Sequence, residues 1–248
     1  MAHMATARGV RERVREQLVT EIKDVARHHL SETGPASLSM RAVARDLEMV
    51  SSAVYRYFPS RDALLTALII DAYEGVAVAA ETAEGNRARD DHRGRWRAVF
   101  HGVREWALEH PQEYALIQGS PVPGYAAPQE TTVSAARVPH LLALIVADAW
   151  RADALTPHES EPDAGLSNDA RGTIAELRGL ASDGDVALAP LEDLPESALS
   201  VLDAWTQLYG TVSFELFGHY KGVIAAREAY LDRVADRTAT MTGLPPSP

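Results

Sequence analysis

Residues 38–65 constrain the fold of this chain more than any other stretch, because they combine helical periodicity with a tight turn and a proline. The segment reads LSMRAVARDLEMVSSAVYRYFPSRDALL. It predicts two short helices, at about 40–47 and 51–57, and a further helix that restarts behind the proline. Ser39 and Ser60 stand at N-cap positions, where a hydroxyl accepts a backbone N–H. The inner side of this three-helix unit is expected to be apolar (Leu38, Val43, Ala44, Leu47, Val54, Phe58).

The second short helix carries polar and aromatic side chains that a core does not need. They are Ser51, Ser52, Tyr55, Arg56 and Tyr57. Hydroxyls, a guanidinium and phenol tips on a helix short enough to enter a groove are groups that contact phosphates and base edges of duplex DNA. The tyrosines could instead be core aromatics, but Phe58 already fills that role and phenol oxygens favour water or phosphate.

The net charge of −11 is unevenly distributed along the chain. Residues 1–63 hold ten basic and eight acidic residues, whereas residues 64–248 hold fourteen and twenty-seven. A cationic end joined to an acidic body orients a protein toward phosphates. The gradient could also be without function, so the motif rather than the charge favours a DNA-binding interpretation.

Helical periodicity continues through most of the chain, and strand patterns are almost absent, so the predicted fold is all-α. Further helices are predicted at about 8–32, 61–84, 92–109, 112–118, 129–151, 195–218 and 225–241. We expect an N-terminal domain over residues 1–63 and a helical domain over 64–243. Pro139 should kink the helix that contains it.

The composition of two segments predicts disorder. Residues 153–193 are rich in Pro, Asp, Glu, Ser and Gly, and predict an exposed, partly mobile connection in which only 170–180 could be helical. The proline-rich tail at 244–248 is expected to be disordered.

The sequence offers little for catalysis or metal binding. There is no cysteine, which excludes disulfides and thiolate ligands. Common catalytic and phosphate-binding motifs are absent, and the histidines lack the paired spacing of metal ligands. No apolar run approaches the ~20 residues that cross a bilayer. We expect a cytoplasmic protein without cofactor, metal or membrane segment, and an enzyme on a helical scaffold stays open as an alternative.

The motif Val54–Leu65, together with Val43-Ala44, resembles the DNA-binding domain of the TetR family of transcriptional repressors. Where this chain has Val43-Ala44, that family has Ile-Ala. Where this chain has Val54–Leu65, the family has an aliphatic residue, tyrosine, any residue, histidine or tyrosine, phenylalanine and then a helix that starts with a basic residue. Segments 106–125 and 205–219 look like one subgroup of TetR-type ligand-binding domains. The resemblance implies an all-helical homodimer with an N-terminal helix-turn-helix domain and a C-terminal helical ligand-binding and dimerisation domain.

The resemblance also implies which residues face DNA. In such proteins the third helix enters the major groove, while arginines at the starts of the second and fourth helices reach phosphates. The residues expected at DNA are Arg41, Ser51, Ser52, Tyr55, Arg56, Tyr57 and Arg61. Two positions depart from the family pattern. Glu48 replaces a turn glycine, and Val50 replaces a Ser or Thr cap, which leaves Ser51 or Ser52 to cap the helix.

Six aromatic residues of the remaining chain could line a ligand pocket between helices, or could be plain core (Trp106, Tyr114, Trp150, Trp205, Tyr209, Phe214). With the resemblance, they support a repressor that a small hydrophobic effector releases from a near-palindromic operator. The homodimer is expected to form through the helices at 195–218 and 225–241. The alternative is a constitutive DNA-binding dimer without an effector.

Overall fold

The computed structural model describes residues 2–156, 163–180 and 186–246. Its regular structure consists of α-helices and two short 3-10 helices, so the all-α prediction is confirmed for the described residues. The helices are α1 (Ala2–Thr33), α2 (Met40–Asp46), α3 (Ser51–Val54), α4 (Arg61–Gly85), α5 (His92–Glu109), α6 (Pro111–Gln118), α7 (Glu130–Ala135), α8 (Arg137–Arg151), α9 (Ala164–Leu180), α10 (Pro195–Leu216) and α11 (Arg227–Met241).

The chain forms two compact units, and their boundary differs from the predicted one. The first unit comprises Met1–Ala72 and Gln112–Pro128, and the second comprises Tyr73–Pro111 and Gln129–Pro248. The boundary therefore lies inside α4 instead of before it. Specific contacts hold the later segment in the first unit. The Arg27 guanidinium lies 3.3 Å from the Glu113 carboxylate, and the Thr66 and Tyr125 hydroxyls share a 2.9 Å hydrogen bond.

The first unit is a helical head built around α1, α2, α3 and the start of α4. Gly34 ends α1 with a φ of 75°, a conformation that glycine adopts without steric cost. Each helix directs a few apolar side chains inward, and these are almost completely buried (Ile22, Ala26, Val43, Ala44, Val54, Leu64, Leu65, Leu68). Their burial supplies most of the stabilisation of so small a unit.

In the second unit α5 packs against α8 and α11, and α10 packs against α11 and α9. Its core includes Trp96, whose indole N–H donates to the Thr238 hydroxyl at 3.1 Å. The core also contains a charge, because Arg95 is only 1% exposed. Its guanidinium donates to Glu84 at 2.5 Å and Asp148 at 2.9 Å. Such a buried cation is tolerated only because carboxylates pair with it.

Pro139 distorts the helix that the sequence predicted over residues 129–151. The structure has separate helices α7 and α8, with the break at Ala136. Proline has no N–H, and its ring clashes with the carbonyl four residues earlier, here that of Ala135. Ala136 itself keeps an α-helical conformation, its N–H donating to Thr132 and its carbonyl accepting from His140, both at 2.9 Å. The predicted distortion therefore appears as a local interruption of the helical path three residues before the proline.

The prediction of an exposed connection over 153–193 was wrong for much of that segment. Residues 164–180 form α9, and Val186–Asp193 form a 3-10 helix. Ile174 and Leu177 of α9 are buried, as are Leu188 and Leu191. Their apolar contacts order a segment whose polar composition suggested mobility. The remaining parts of the prediction, at 157–162 and 181–185, lie outside the described residues.

The start of the predicted disordered tail is also ordered. Leu244 is buried, and Arg93 donates hydrogen bonds to the carbonyls of Leu244 and Pro245 at 2.9 and 2.8 Å. These contacts hold the chain through Pro245, whereas residues 247–248 lie outside the described part.

Among the described residues, α4 alone is long and apolar enough to cross a membrane by length and composition. Half of its apolar window is buried within the protein. Leu64, Leu65, Leu68 and Ala72 are among its core residues, and this core role explains the apolar composition.

Candidate nucleic-acid interface

The turn before α3 depends on an unusual backbone conformation. Ser39 caps α2, its hydroxyl accepting the N–H of Ala42 at 3.4 Å. After α2, Glu48 has a φ of 54°, in the left-handed region that glycine favours. The next N–H, of Met49, donates back to the Ala44 carbonyl at 2.8 Å and closes the turn. A glutamate therefore adopts the conformation for which the family pattern uses glycine.

Helix α3 is shorter than its predicted range of 51–57. Regular helix ends at Val54, and residues 55–57 continue as a hydrogen-bonded turn. Val50 is the N-cap residue and contributes no side-chain hydrogen bond. The prediction that Ser51 or Ser52 caps this helix was therefore wrong, and neither hydroxyl is used as a cap.

Burial separates the two sides of this element. Val54 is fully buried and Phe58 is 7% exposed, whereas Tyr55 is 44% exposed. Ser52 and Arg56 are exposed as well, and Ser51 and Tyr57 are intermediate. Ser52, Tyr55 and Arg56 thus lie on the surface of the head, whereas Ser51 and Tyr57 are partly covered.

Two further arginines of the head are exposed on α2. Arg41 is exposed, and Arg45, one turn later, has 76% of its side chain exposed. Arg45 was not among the residues predicted at DNA, although its i, i+4 spacing from Arg41 on a predicted helix indicates a shared face.

The carboxylate beside these arginines is held by a histidine. Asp46 accepts a 2.6 Å hydrogen bond from the His29 ring, and Arg45 lies 3.2 Å from its other oxygen. The His29 hydrogen bond is the main reason that the pKa of Asp46 lies below its usual value. Partnered in this way, the carboxylate repels DNA phosphates less than an isolated one would.

Arg61 is engaged within the head. Its guanidinium donates to the carbonyls of Pro35, Ala36 and Leu38 at 2.8, 3.3 and 3.2 Å, and also pairs with Asp62. Only 27% of the side chain is exposed. Arg61 therefore clamps the connection between α1 and α2, a structural role that spacing alone does not reveal. The neighbouring Ser60 caps α4, as predicted, by accepting the N–H of Ala63.

The six aromatic residues predicted to line a ligand pocket have different environments. Trp106, Tyr114 and Tyr209 are buried, whereas Trp150, Trp205 and Phe214 are 48%, 36% and 51% exposed. They do not form a single buried set. Trp106 stacks on His110 with ring centres 5.1 Å apart, and Trp205 meets Tyr209 edge-on at 6.3 Å.

In the described residues, no group of three His, Cys, Asp or Glu side chains could hold a metal ion.

Comparison with known families decides the identity. Residues 22–68 match the family described as "Bacterial regulatory proteins, tetR family". Residues 96–238 match "Tetracyclin repressor-like, C-terminal domain". The chain belongs to the TetR family. It is a helix-turn-helix, DNA-binding transcriptional regulator of a family that is generally non-enzymatic.

Individual relatives are also transcriptional regulators. The chain is 36% identical over 216 residues to the HTH-type transcriptional regulators Rv1816 of Mycobacterium tuberculosis (strain ATCC 25618 / H37Rv) and Mb1846 of Mycobacterium bovis. In each case the match covers 86% of both chains. These relatives are similar over nearly the whole length, so the family assignment holds for both units.

Solved structures share the fold. The crystal structure of the protein SCO4313 has a TM-score of 0.68 and 32% identity, with 92% of this chain and 98% of that chain covered. The TetR family transcriptional regulator PfmR from Thermus thermophilus has a TM-score of 0.53 and 16% identity, covering 91% of this chain and 99% of that chain. At that identity PfmR shows likeness of fold alone.

Proposed function

We propose that the exposed side of α3 and its following turn enters the major groove of an operator. The supporting observation is the separation between buried Val54 and Phe58 and exposed Tyr55. In this proposal Ser51, Ser52, Tyr55, Arg56 and Tyr57 face DNA. Tyrosine and serine hydroxyls fix register on the backbone, and arginine can fork onto guanine.

Arg41 and Arg45 contact flanking phosphates in this proposal. Both are exposed on one face of α2, and a guanidinium binds a phosphate with two parallel hydrogen bonds. Arg61, which the sequence predicted to reach a phosphate, contributes mainly by holding the α1–α2 connection in place.

The protein acts as a homodimer in which α10 and α11 pair with the same helices of a second copy. Thr206, Gly210, Phe214 and Phe217 lie on the exposed side of α10 and its end. A small residue among apolar ones lets two helices approach closely. Two recognition elements about 34–36 Å apart would match a near-palindromic operator.

The regulator is a repressor that a small hydrophobic effector releases from DNA. The match of residues 96–238 to the tetracycline-repressor-like C-terminal domain supports this proposal, and the buried aromatic residues Trp106 and Tyr209 belong to that segment. An effector shifts the equilibrium only by its difference in affinity between the two states. A second candidate, a constitutive DNA-binding dimer without effector, is favoured by the exposure of Trp150, Trp205 and Phe214. Either function places the protein in the cytoplasm and requires neither a cofactor nor a reaction.

The DNA proposal is tested with Tyr55→Ala in a gel-shift assay on the intergenic DNA upstream of the gene. Loss of one groove contact should weaken binding about tenfold or more, with the thermal midpoint unchanged. Leu108→Ala is the control, because Leu108 is similarly exposed, at 43%, in the second unit. Full affinity of the Tyr55 variant for the fragment would contradict the placement of α3.

The effector proposal is tested by titrating apolar compounds while tryptophan fluorescence and operator release are recorded together. A repressor of this kind shows saturable quenching and release at the same concentrations. Operator binding that no compound weakens, with no saturable quenching, supports the constitutive dimer instead.

A further inference from the structure

A cleft between α5 and α11 of the second unit is unusually rich in arginine. Its walls are completed by Ala229, Thr240 and Pro246. The charged lining consists of Arg93, Arg97, Arg233, Arg237, Asp232 and Asp236. This cleft lies in the part of the sequence that is strongly acidic, since residues 64–248 hold twenty-seven acidic and fourteen basic residues.

The two carboxylates of the cleft already have partners. Both oxygens of Asp236 accept hydrogen bonds from Arg97, at 2.6 and 2.5 Å. Asp232 shares a 2.8 Å hydrogen bond with the His101 ring. Arg93 is also fixed, because its guanidinium donates to the carbonyls of Asp236, Leu244 and Pro245. These groups form a rigid wall whose charges largely cancel.

Arg233 and Arg237 are different. They lie one turn apart on α11, and both are exposed. In the part of the chain that the structure describes, neither guanidinium has an ion pair. Like charges at i and i+4 destabilise a helix when nothing screens them. An anion that bridges both guanidiniums would remove that repulsion and gain charge-assisted hydrogen bonds.

We propose that this cleft binds the oxyanion group of a small molecule, a phosphate or a dicarboxylate carrying about two negative charges. Arg233 and Arg237 are the donors, and the Arg97–Asp236 pair with Arg93 holds the opposite wall. The positive spot on an acidic surface concentrates anions at this place. All of these residues belong to the second unit, so the site does not depend on the proposed operator contacts. In the proposed dimer the second copy covers the exposed side of α10 and a part of α11 that excludes Arg233 and Arg237, which stay accessible.

The proposal is tested by calorimetric titration of the full chain with pyrophosphate, inorganic phosphate and succinate at matched ionic strength. Saturable binding is expected for at least one of the three anions, and the comparison among them distinguishes phosphate from dicarboxylate. Arg233→Gln and Arg237→Gln should each weaken that binding about tenfold, the effect of losing one charge-assisted donor.

Arg87→Gln is the matched control. Arg87 is exposed in the same unit and its replacement changes the net charge equally, so it should leave the anion affinity unchanged. Equal weakening by all three variants would mean diffuse charge screening and would overturn the proposal, as would the absence of saturable binding. A change of oligomeric state in the Arg233 or Arg237 variant, measured by light scattering, would also overturn it, because the arginines would then serve a subunit contact.

Discussion

At the scale of single residues, Arg41 and Arg61 both stand at the start of a helix in the head, yet their surroundings differ. Arg41 is exposed, whereas Arg61 donates to three backbone carbonyls of the α1–α2 connection. We predict that Arg61→Ala lowers the free energy of unfolding by about 1–3 kcal/mol, since partly buried backbone carbonyls lose a charged donor. Arg41→Ala should leave that free energy nearly unchanged and weaken operator binding.

Urea denaturation and a gel-shift assay, run on both variants, separate the two roles. Because the head must be folded to bind, Arg61→Ala should also weaken binding at temperatures near its lowered midpoint. If Arg61→Ala has the same free energy of unfolding as the wild type, the hydrogen bonds of Arg61 to the α1–α2 connection do not stabilise the head.

Another residue-scale prediction concerns the pH dependence of stability. His92 is 5% exposed, and its Nδ1 has no hydrogen-bond partner among the described residues. Burial, and then the charge of Arg95, lower the pKa of His92 from 6.5, although Asp148, Asp90 and Asp91 oppose this. The unfolded chain therefore takes up a proton more readily than the folded one. The stabilisation is present above pH 6.5 and is lost as the pH falls below that value.

The measurement is the thermal midpoint between about pH 8 and about pH 5.5, a range that spans the ordinary histidine pKa. The wild type should lose more stability over this range than His92→Gln, which cannot be protonated. Parallel curves for the two proteins would show that His92 does not contribute to the acid sensitivity. The double comparison is needed because other groups also titrate here.

At the scale of elements, local chemistry was predictable from sequence and tertiary burial was not. The caps at Ser39 and Ser60 follow from residue type and position, and the structure confirms them. By contrast, α9 depends on Ile174 and Leu177 being buried. The few large apolar side chains of α9 stand among glycines and charges, and Leu166 is exposed, so their periodicity is too weak to reveal a partner surface.

Spacing within one helix is enough to predict which side chains of the candidate DNA surface point outward, but it is not enough to predict a ligand pocket between helices. Tyr55 lies between buried Val54 and a buried Phe58, and its outward direction follows from helical spacing over four residues. The aromatic residues of the second unit are distributed over several helices. Whether each one is buried depends on how those helices pack, and spacing within one helix does not contain that information.

Close packing between α4 and α5 gives an element-scale prediction. A Cβ atom at Gly102 would lie 2.7 Å from the Ala79 carbonyl oxygen and 3.0 Å from the Ala80 Cα, both backbone atoms. Gly102→Ala should therefore destabilise the protein by about 1–3 kcal/mol, because backbone must move to accommodate it.

The control is Gly172→Ala in α9, where nothing lies within 4 Å of the added Cβ. That variant should gain about 0.5–1 kcal/mol from improved helix propensity. Chemical denaturation of the two variants should thus give changes of opposite sign. Equal stability of the Gly102 variant and the wild type would show that α4 and α5 tolerate a wider separation.

At the scale of the whole molecule, the proposed dimer explains the composition of the outer side of α10. Phe214 is 51% and Phe217 is 44% exposed, and Gly210 on the same side has open space around it. A glycine inside a helix costs about 1 kcal/mol relative to alanine. Close approach of a second helix is a physical reason to retain it.

The dimer is tested by Gly210→Arg, compared with Gly172→Arg. Both glycines are exposed in helices and have no atom within 4 Å of an added Cβ, so neither substitution should harm the fold of one copy. Only an arginine at position 210 would meet its own symmetry mate, placing two charges in an apolar contact.

Sedimentation should show dimers for the Gly172 variant and monomers for the Gly210 variant at micromolar concentration. Operator affinity should fall at least tenfold for Gly210→Arg alone, since a single head binds only one half-site. A Gly210 variant that sediments as a dimer with full operator affinity would show that the copies pair through another surface.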